Sequence, residues 1–338
     1  MSEMTKVDTK EHVTDLPAGL GRLGRAIDRF AALTAVIILF VFFSFAANNF
    51  FTVRSVLSLA LQTSTVTIMG IGVTFTILTG GIDLSIGSIV ALSGTIAVNA
   101  ALFGVPIWLS WIVGVIVGVV CGLANGLMIT RMRLPPFVAT LGTQFVARGV
   151  ALTITNAYAQ PAPEAFGSLG NENLLAMGPQ FPGISWAVLI MIAVALFCHF
   201  FLNETLMGRY TYAVGSNEEA ARLAGIRVNQ VKLVSYVISG MLSGIVGVIL
   251  ASRMVTSQPN SAIGYEMNAI ASAVIGGASL MGGVGTVGGT VIGSFVIGIL
   301  TVGMTMAGAN YFMQTVVIGL VVIGAVYVDR LRYRKSLA

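Results

Sequence analysis

Charge is scarce in this sequence: Asp, Glu, Lys and Arg make up 9% of its 338 residues, while 56% are hydrophobic and the mean hydropathy is +0.92. That leaves too little polar surface to cover a water-soluble globule of this size. Cysteine is limited to Cys121 and Cys198, both inside apolar runs. There a thiol serves as a small packing group, so neither a disulfide nor a metal site is expected. Histidine is limited to His12 and His199, and no G-x-x-x-x-G-K-[ST] loop or metal-ligand cluster occurs. The chain is therefore expected to need no cofactor, to carry no catalytic residue and to be unable to hydrolyse ATP by itself. A row of intramembrane acids, the equipment of many proton-coupled carriers, is missing as well. The polar stretch 1–29 is too long and too mixed in charge for a usual secretory signal, so the first apolar run is expected to be retained.

What is present is a series of apolar runs of about 17 to 25 residues, the length of membrane-crossing helices rather than of ten-residue barrel strands. They fall at about 30–47, 56–78, 89–103, 107–129, 137–155, 185–202, 233–251, 290–307 and 311–328, with a glycine-broken apolar region at 268–289. Forty glycines suit close packing of such helices. The net charge of +5 gathers at span ends, which points to orientation and not to a nucleic-acid partner. Basic residues mark the tail 1–29, Arg131 with Arg133, the segment 203–232 and the C-terminal tail 331–338, while 156–184 has no Lys or Arg. About ten crossings put all the basic segments on one side, so both termini are expected to be cytoplasmic, flanking a transmembrane domain over 30–330. The breaks TGGIDLSIGS (79–88) and IGGASLMGGVGTVGG, in different halves of the chain, hint at an internal repeat.

Within 203–232, Ser216 and Glu219 have capping-box spacing, which predicts a helix start. Ala220, Ala221, Leu223 and Ala224 favour helix, Glu218 and Arg222 pair at i,i+4, and Gly225 can close the last turn. The predicted helix is about two turns long. Leu223, Ile226 and Val228 would give it an apolar surface, either for an ordinary connecting loop or for a groove on another protein.

Asp83 is an acid among apolar residues. It is expected either to cap a helix starting near Leu84, to sit where water reaches it, or to border a solute path. Arg148, well inside a span, needs a carboxylate, helix-end carbonyls or water, and Asp83 is the candidate nearest in kind. Ser85, Asn99, Asn125 and Gln144 are uncharged groups suited to a polyhydroxylated solute's path or to hydrogen bonds between helices. The largest outer segments, 156–184 and 256–267, are polar and turn-rich, and Asn171, Gln258 and Asn260 are the docking candidates on them should a partner sit there.

Glu219-Ala220-Ala221 with Gly225 has the EAA-x-x-x-G pattern of the loop by which bacterial ABC-importer permeases engage their ATPase, although the later I-x-L-P part is not evident. TGGIDLSIGS (79–88), GRYTYAVGSNEEAARLAGI (208–226) and SQPNSAIGYEMNAIASAVIGGASLMGGVGT (257–286) together resemble the ribose-type permeases, over about residues 45–330. The resemblance implies an all-α, polytopic bundle of the type II ABC-importer kind in the bacterial inner membrane. It would work as a homodimer or beside a similar permease, with ABC ATPase subunits below and a periplasmic sugar-binding protein above. Ser216, Asn217, Glu218, Glu219, Ala220, Ala221, Arg222 and Gly225 would then form the ATPase-coupling loop, and the solute would be a monosaccharide. A nucleoside, a branched-chain amino acid or a signalling furanose fits the same architecture, and a self-contained secondary carrier is the alternative of another class.

Overall fold

The computed structural model describes residues 18–174, 176 and 183–337. Its helices are α1 (Ala18–Ala46), α2 (Val53–Leu78), α3 (Ile86–Leu102), α4 (Ile107–Thr130), α5 (Pro136–Thr155), α6 (Ser168–Asn171), α7 (Trp186–Glu204), α8 (Leu206–Ser216), α9 (Glu218–Leu223), α10 (Val228–Met254), α11 (Tyr265–Ile275), α12 (Val287–Met306) and α13 (Tyr311–Leu337). Six of them, α2, α4, α5, α7, α10 and α12, are long and apolar enough to cross a membrane, and Ala32–Ala46, Ile86–Leu102 and Tyr311–Gly324 are shorter apolar helices.

The centre of the bundle is α2 and α10, packed on each other, with α4 and α3 against α10 and α12 and α11 against α2. Ile68, Ile71, Leu242, Val246 and Ile249 fill the space between them. Glycines set the closeness of α4 and α10: a Cβ on Gly118 would collide with the Gly240 carbonyl, and Gly114, Gly122 and Gly126 continue the stripe at every fourth residue. This is helix packing by backbone approach, where apolar burial alone gives little preference for one helix neighbour over lipid. A second apolar cluster, with Phe43, Phe50, Leu59, Val296 and Ile299, fastens α1 to α2 and α12.

Several boundaries differ from those expected. Residues 18–29 already belong to α1 and 331–337 continue α13, while residues 1–17 of the expected N-terminal tail lie outside the described residues. The stretch 203–232 holds two helices instead of one, because Thr205 caps α8 by accepting the Gly208 N–H at 3.1 Å. The third run begins one turn early, at Ile86. The glycine-broken region resolves into α11, a non-helical stretch 276–286 and α12.

At the end of the bundle away from α8 and α9, the two segments expected to form an outer surface pair directly. Strand β1 (Gln160–Pro161) is antiparallel to β4 (Thr256–Ser257), with Gln160 opposite Ser257. A 3-10 turn, Glu164–Gly167, leads into α6, and β2 (Asn173–Leu174) pairs with β3 (Ile184–Ser185).

Candidate functional site

The helix α9 is capped by Asn217, whose extended backbone lets its Oδ1 accept the Ala220 N–H at 2.9 Å. Ser216 is instead the last residue of α8, so the expected capping box of Ser216 and Glu219 does not form. A residue with helical backbone cannot also supply the extended geometry of an N-cap. The C-terminal end matches expectation. Gly225 stands at φ +81°, its N–H bonds to the Arg222 carbonyl at 3.1 Å, and the Ile226 N–H reaches the Ala221 carbonyl at 3.0 Å. That is the doubly bonded left-handed helix end.

Glu218 fixes the helix in place. It accepts from Arg222 at 2.9 Å, as the spacing predicts, and from Lys232 of α10 at 2.6 Å. The Lys232 ammonium foremost, with Arg222 beside it, holds the Glu218 carboxyl below the usual carboxylate range. The expected apolar surface is divided: Ala221 and Val228 are buried with Val214 and Val231, Ile226 is half-buried, and Leu223 alone projects, 85% exposed. Around Leu223 the exposed face carries Glu219, Ala220, Arg222 and Arg227.

Deeper in the bundle, Asp83 is fully buried in the non-helical turn 79–85. One carboxylate oxygen accepts from the Ser85 N–H at 3.0 Å and the Ser85 hydroxyl at 2.5 Å, and the other accepts from the Ser239 hydroxyl of α10 at 2.7 Å. Ser85 Oγ in turn accepts from Asn125 Nδ2 of α4 at 2.8 Å, and Asn125 Oδ1 accepts from the Thr143 hydroxyl of α5 at 2.5 Å. Thr140 Oγ1 donates to the Ile82 carbonyl at 3.3 Å. Asp83 therefore neither caps α3 nor meets water. It ties the turn to three helices, satisfying buried polar groups that would otherwise each be costly to leave unpaired.

Arg148 does not pair with Asp83. Its Nη1 donates to the carbonyls of Pro259 at 2.6 Å and Ser261 at 2.8 Å, with Glu266 the acid whose charge reaches it. A guanidinium suits two adjacent carbonyls because its donors are held in a rigid fork. Arg148 thus anchors the 255–264 segment, on which Gln258 and Asn260 are exposed. Asn99 bonds Gln160 at 2.9 Å, fastening α3 to β1, and the Asn171 amide donates to the Ser252 carbonyl at 3.0 Å. Gln144 is half-buried on α5.

Sequence reasoning missed Ser239, Thr143 and Lys232 as partners. Ser and Thr in apolar helices ordinarily bond their own backbone, as Ser243 does to Ser239, so composition gives no sign of which hydroxyl turns away.

A bundle with six helices long and apolar enough to cross a membrane, tied together by buried polar groups, is the architecture of a polytopic membrane protein. The chain belongs to the family described as the permease component of branched-chain amino acid transport systems, which matches residues 55–326. It is 38% identical over 277 residues to the ribose import permease RbsC of Haemophilus influenzae, covering 80% of this chain and 83% of the relative. The RbsC of Bacillus subtilis is 38% identical over 293 residues, with 87% and 90% covered, and the D-allose transport system permease AlsC of Escherichia coli is 37% identical over 297 residues, with 87% and 89% covered.

Proposed function

We propose that this chain is the membrane-spanning subunit of an ATP-binding-cassette importer that carries a ribose-like monosaccharide across the bacterial inner membrane. The observation that carries this reading is α9: a short helix closed at both ends, clamped by Glu218, that offers Leu223 and two arginines outward. An isolated helix of this length is not stable by propensity, and its elaborate fixing is explained by a groove on a partner that needs it rigid. The kinship with permeases named for ribose and allose supports a sugar as the solute.

In this reading α1–α5, α7 and α10–α13 make about ten crossings, both termini are cytoplasmic, and the non-helical breaks 79–85 and 276–286 hold corresponding places in an internal repeat. Two copies, or one copy and a similar permease, enclose the path. ATPase subunits grip α9, and a periplasmic sugar-binding protein docks on the surface made by β1, β4, Gln258 and Asn260. Asp83, Ser85 and Asn125, spent on one another, shape the path by holding helices rather than by touching solute. The chain itself performs no chemistry, and hydrolysis belongs to the ATPase.

Reconstitution in liposomes with the ATPase and the binding protein tests the reading. Ribose uptake that requires all three proteins and ATP is expected. Uptake by the permease alone, driven by an ion gradient, would replace it with a secondary carrier, and competition by nucleosides or branched-chain amino acids would reassign the solute.

A further inference from the structure

The segment that leads into α9 is fastened to both non-helical breaks by backbone contact. Gly215, next to last in α8, lies so close to the Leu78 carbonyl and the Gly283 N–H that a Cβ there would collide with both. The Gly283 N–H donates to the Leu78 carbonyl at 3.0 Å, joining the end of α2 to the 276–286 break. Gly282 stands against the backbone of Gly80 and Gly215, and the Tyr212 hydroxyl of α8 donates to the Gly285 carbonyl at 2.9 Å. From the 79–85 turn the ties continue through Asp83 to Ser239 of α10, and through Ser85 and Asn125 to Thr143 of α5.

We infer that α8 and the two joined breaks form a transmission joint in which Gly215 is the positioning residue, carrying displacement of α9 to α5 and α10. Contacts between backbones leave no rotamer slack to absorb a displacement. Both breaks lack the i→i−4 ladder, so their φ and ψ can take up a rotation that a continuous helix would resist. Asn217 leaves no linker between α8 and α9, so a push on Leu223 arrives at Gly215 within a few residues. Gly288, at the start of α12, is by contrast open, with nothing within 4 Å of a Cβ, and belongs to no such contact.

The inference rests on the importer reading, and the test separates the two. Permease, ATPase and binding protein are reconstituted together, and ATP hydrolysed per ribose taken up is measured. If wild type moves ribose only with ATP, the importer reading stands. Gly215→Ala is then expected to retain ATPase binding and hydrolysis while the ATP spent per ribose rises about fivefold or more, and Tyr212→Phe should shift the ratio the same way by less. Gly288→Ala should leave it unchanged. Combined with Ser239→Ala, Gly215→Ala should give a non-additive change, because both act on one connected path. An unchanged ratio in Gly215→Ala, or strict additivity, overturns the joint.

A second measurement needs neither ATPase nor transport and also covers a poorly folding Gly215→Ala. In the permease alone, Tyr212→Phe should raise amide hydrogen exchange in 79–85 and 276–286 together. A rise confined to 276–286 would show that the breaks are not one joint, whatever the transported solute.

Discussion

Lys232 Nζ lies 2.6 Å from Glu218 Oε2, so the first turn of α9 is held by the first turns of α10 across a loop that contains Gly225 and Arg227. Because Arg222 holds the other carboxylate oxygen, Glu218 joins the two helices at a single point. Glu218→Gln should raise amide exchange in 218–224 and lower ATPase copurification without affecting membrane insertion.

The same pair sets a pH dependence. The Glu218 pKa is depressed in the folded protein, so the stabilisation is present above the ordinary carboxylate value and is lost as pH falls through the depressed one. Amide exchange of α9, corrected for intrinsic rates, should therefore be flat between about pH 6 and 8 and rise only in acid. A rise on going from neutral to alkaline pH in that range would contradict the assignment.

At the other end of α9, Gly225→Val places a β-branched residue at φ +81°, a local cost of about 1–2 kcal/mol. A Cβ there meets nothing within 4 Å, so the effect is backbone strain alone. Transport and ATPase copurification should fall while insertion and receptor crosslinking persist. Asn217→Ala should act in the same direction through loss of a cap worth about 1 kcal/mol, whereas Glu219→Ala, which removes no cap, should leave the exchange of α9 unchanged.

The Asp83 network makes a stability prediction. Asp83→Ala strands the Ser239 and Ser85 donors in a buried site, at about 1–3 kcal/mol for each group left unpaired. Thermal unfolding of the detergent-purified protein should show a lowered midpoint, and Thr143→Val, which orphans Asn125 Oδ1, should show a smaller drop. Equal midpoints for Asp83→Ala and wild type would mean that the network contributes nothing.

Arg148→Met should free the Pro259 and Ser261 carbonyls and loosen the segment that exposes Asn260. Crosslinking of the binding protein through a cysteine at Asn260 should decline, while ATPase copurification through α9 stays at the wild-type level. Arg148→Lys should restore part of the crosslinking, because an ammonium donates to the same carbonyls without the fixed fork.

Much of this molecule follows from the sequence by itself. Long apolar runs with few charges dictate spanning helices, since backbone groups in hydrocarbon must be satisfied within the segment. Glycine at 225 and the Glu218–Arg222 spacing define the end and one face of α9, because capping and i,i+4 pairing act within one turn. Tertiary structure decided what those rules do not reach. Whether Ser216 or Asn217 caps α9 depended on α8 continuing to Ser216, and α8 is held there by the contact of Gly215 with Leu78 and Gly283. Asp83 found Ser239, 156 positions away, and Arg148 found the carbonyls of Pro259 and Ser261 instead of the acid nearest in kind. A buried polar side chain takes whichever partner the packing of helices brings within 3 Å or so, and that packing is set by apolar and glycine surfaces whose pairing no local spacing encodes.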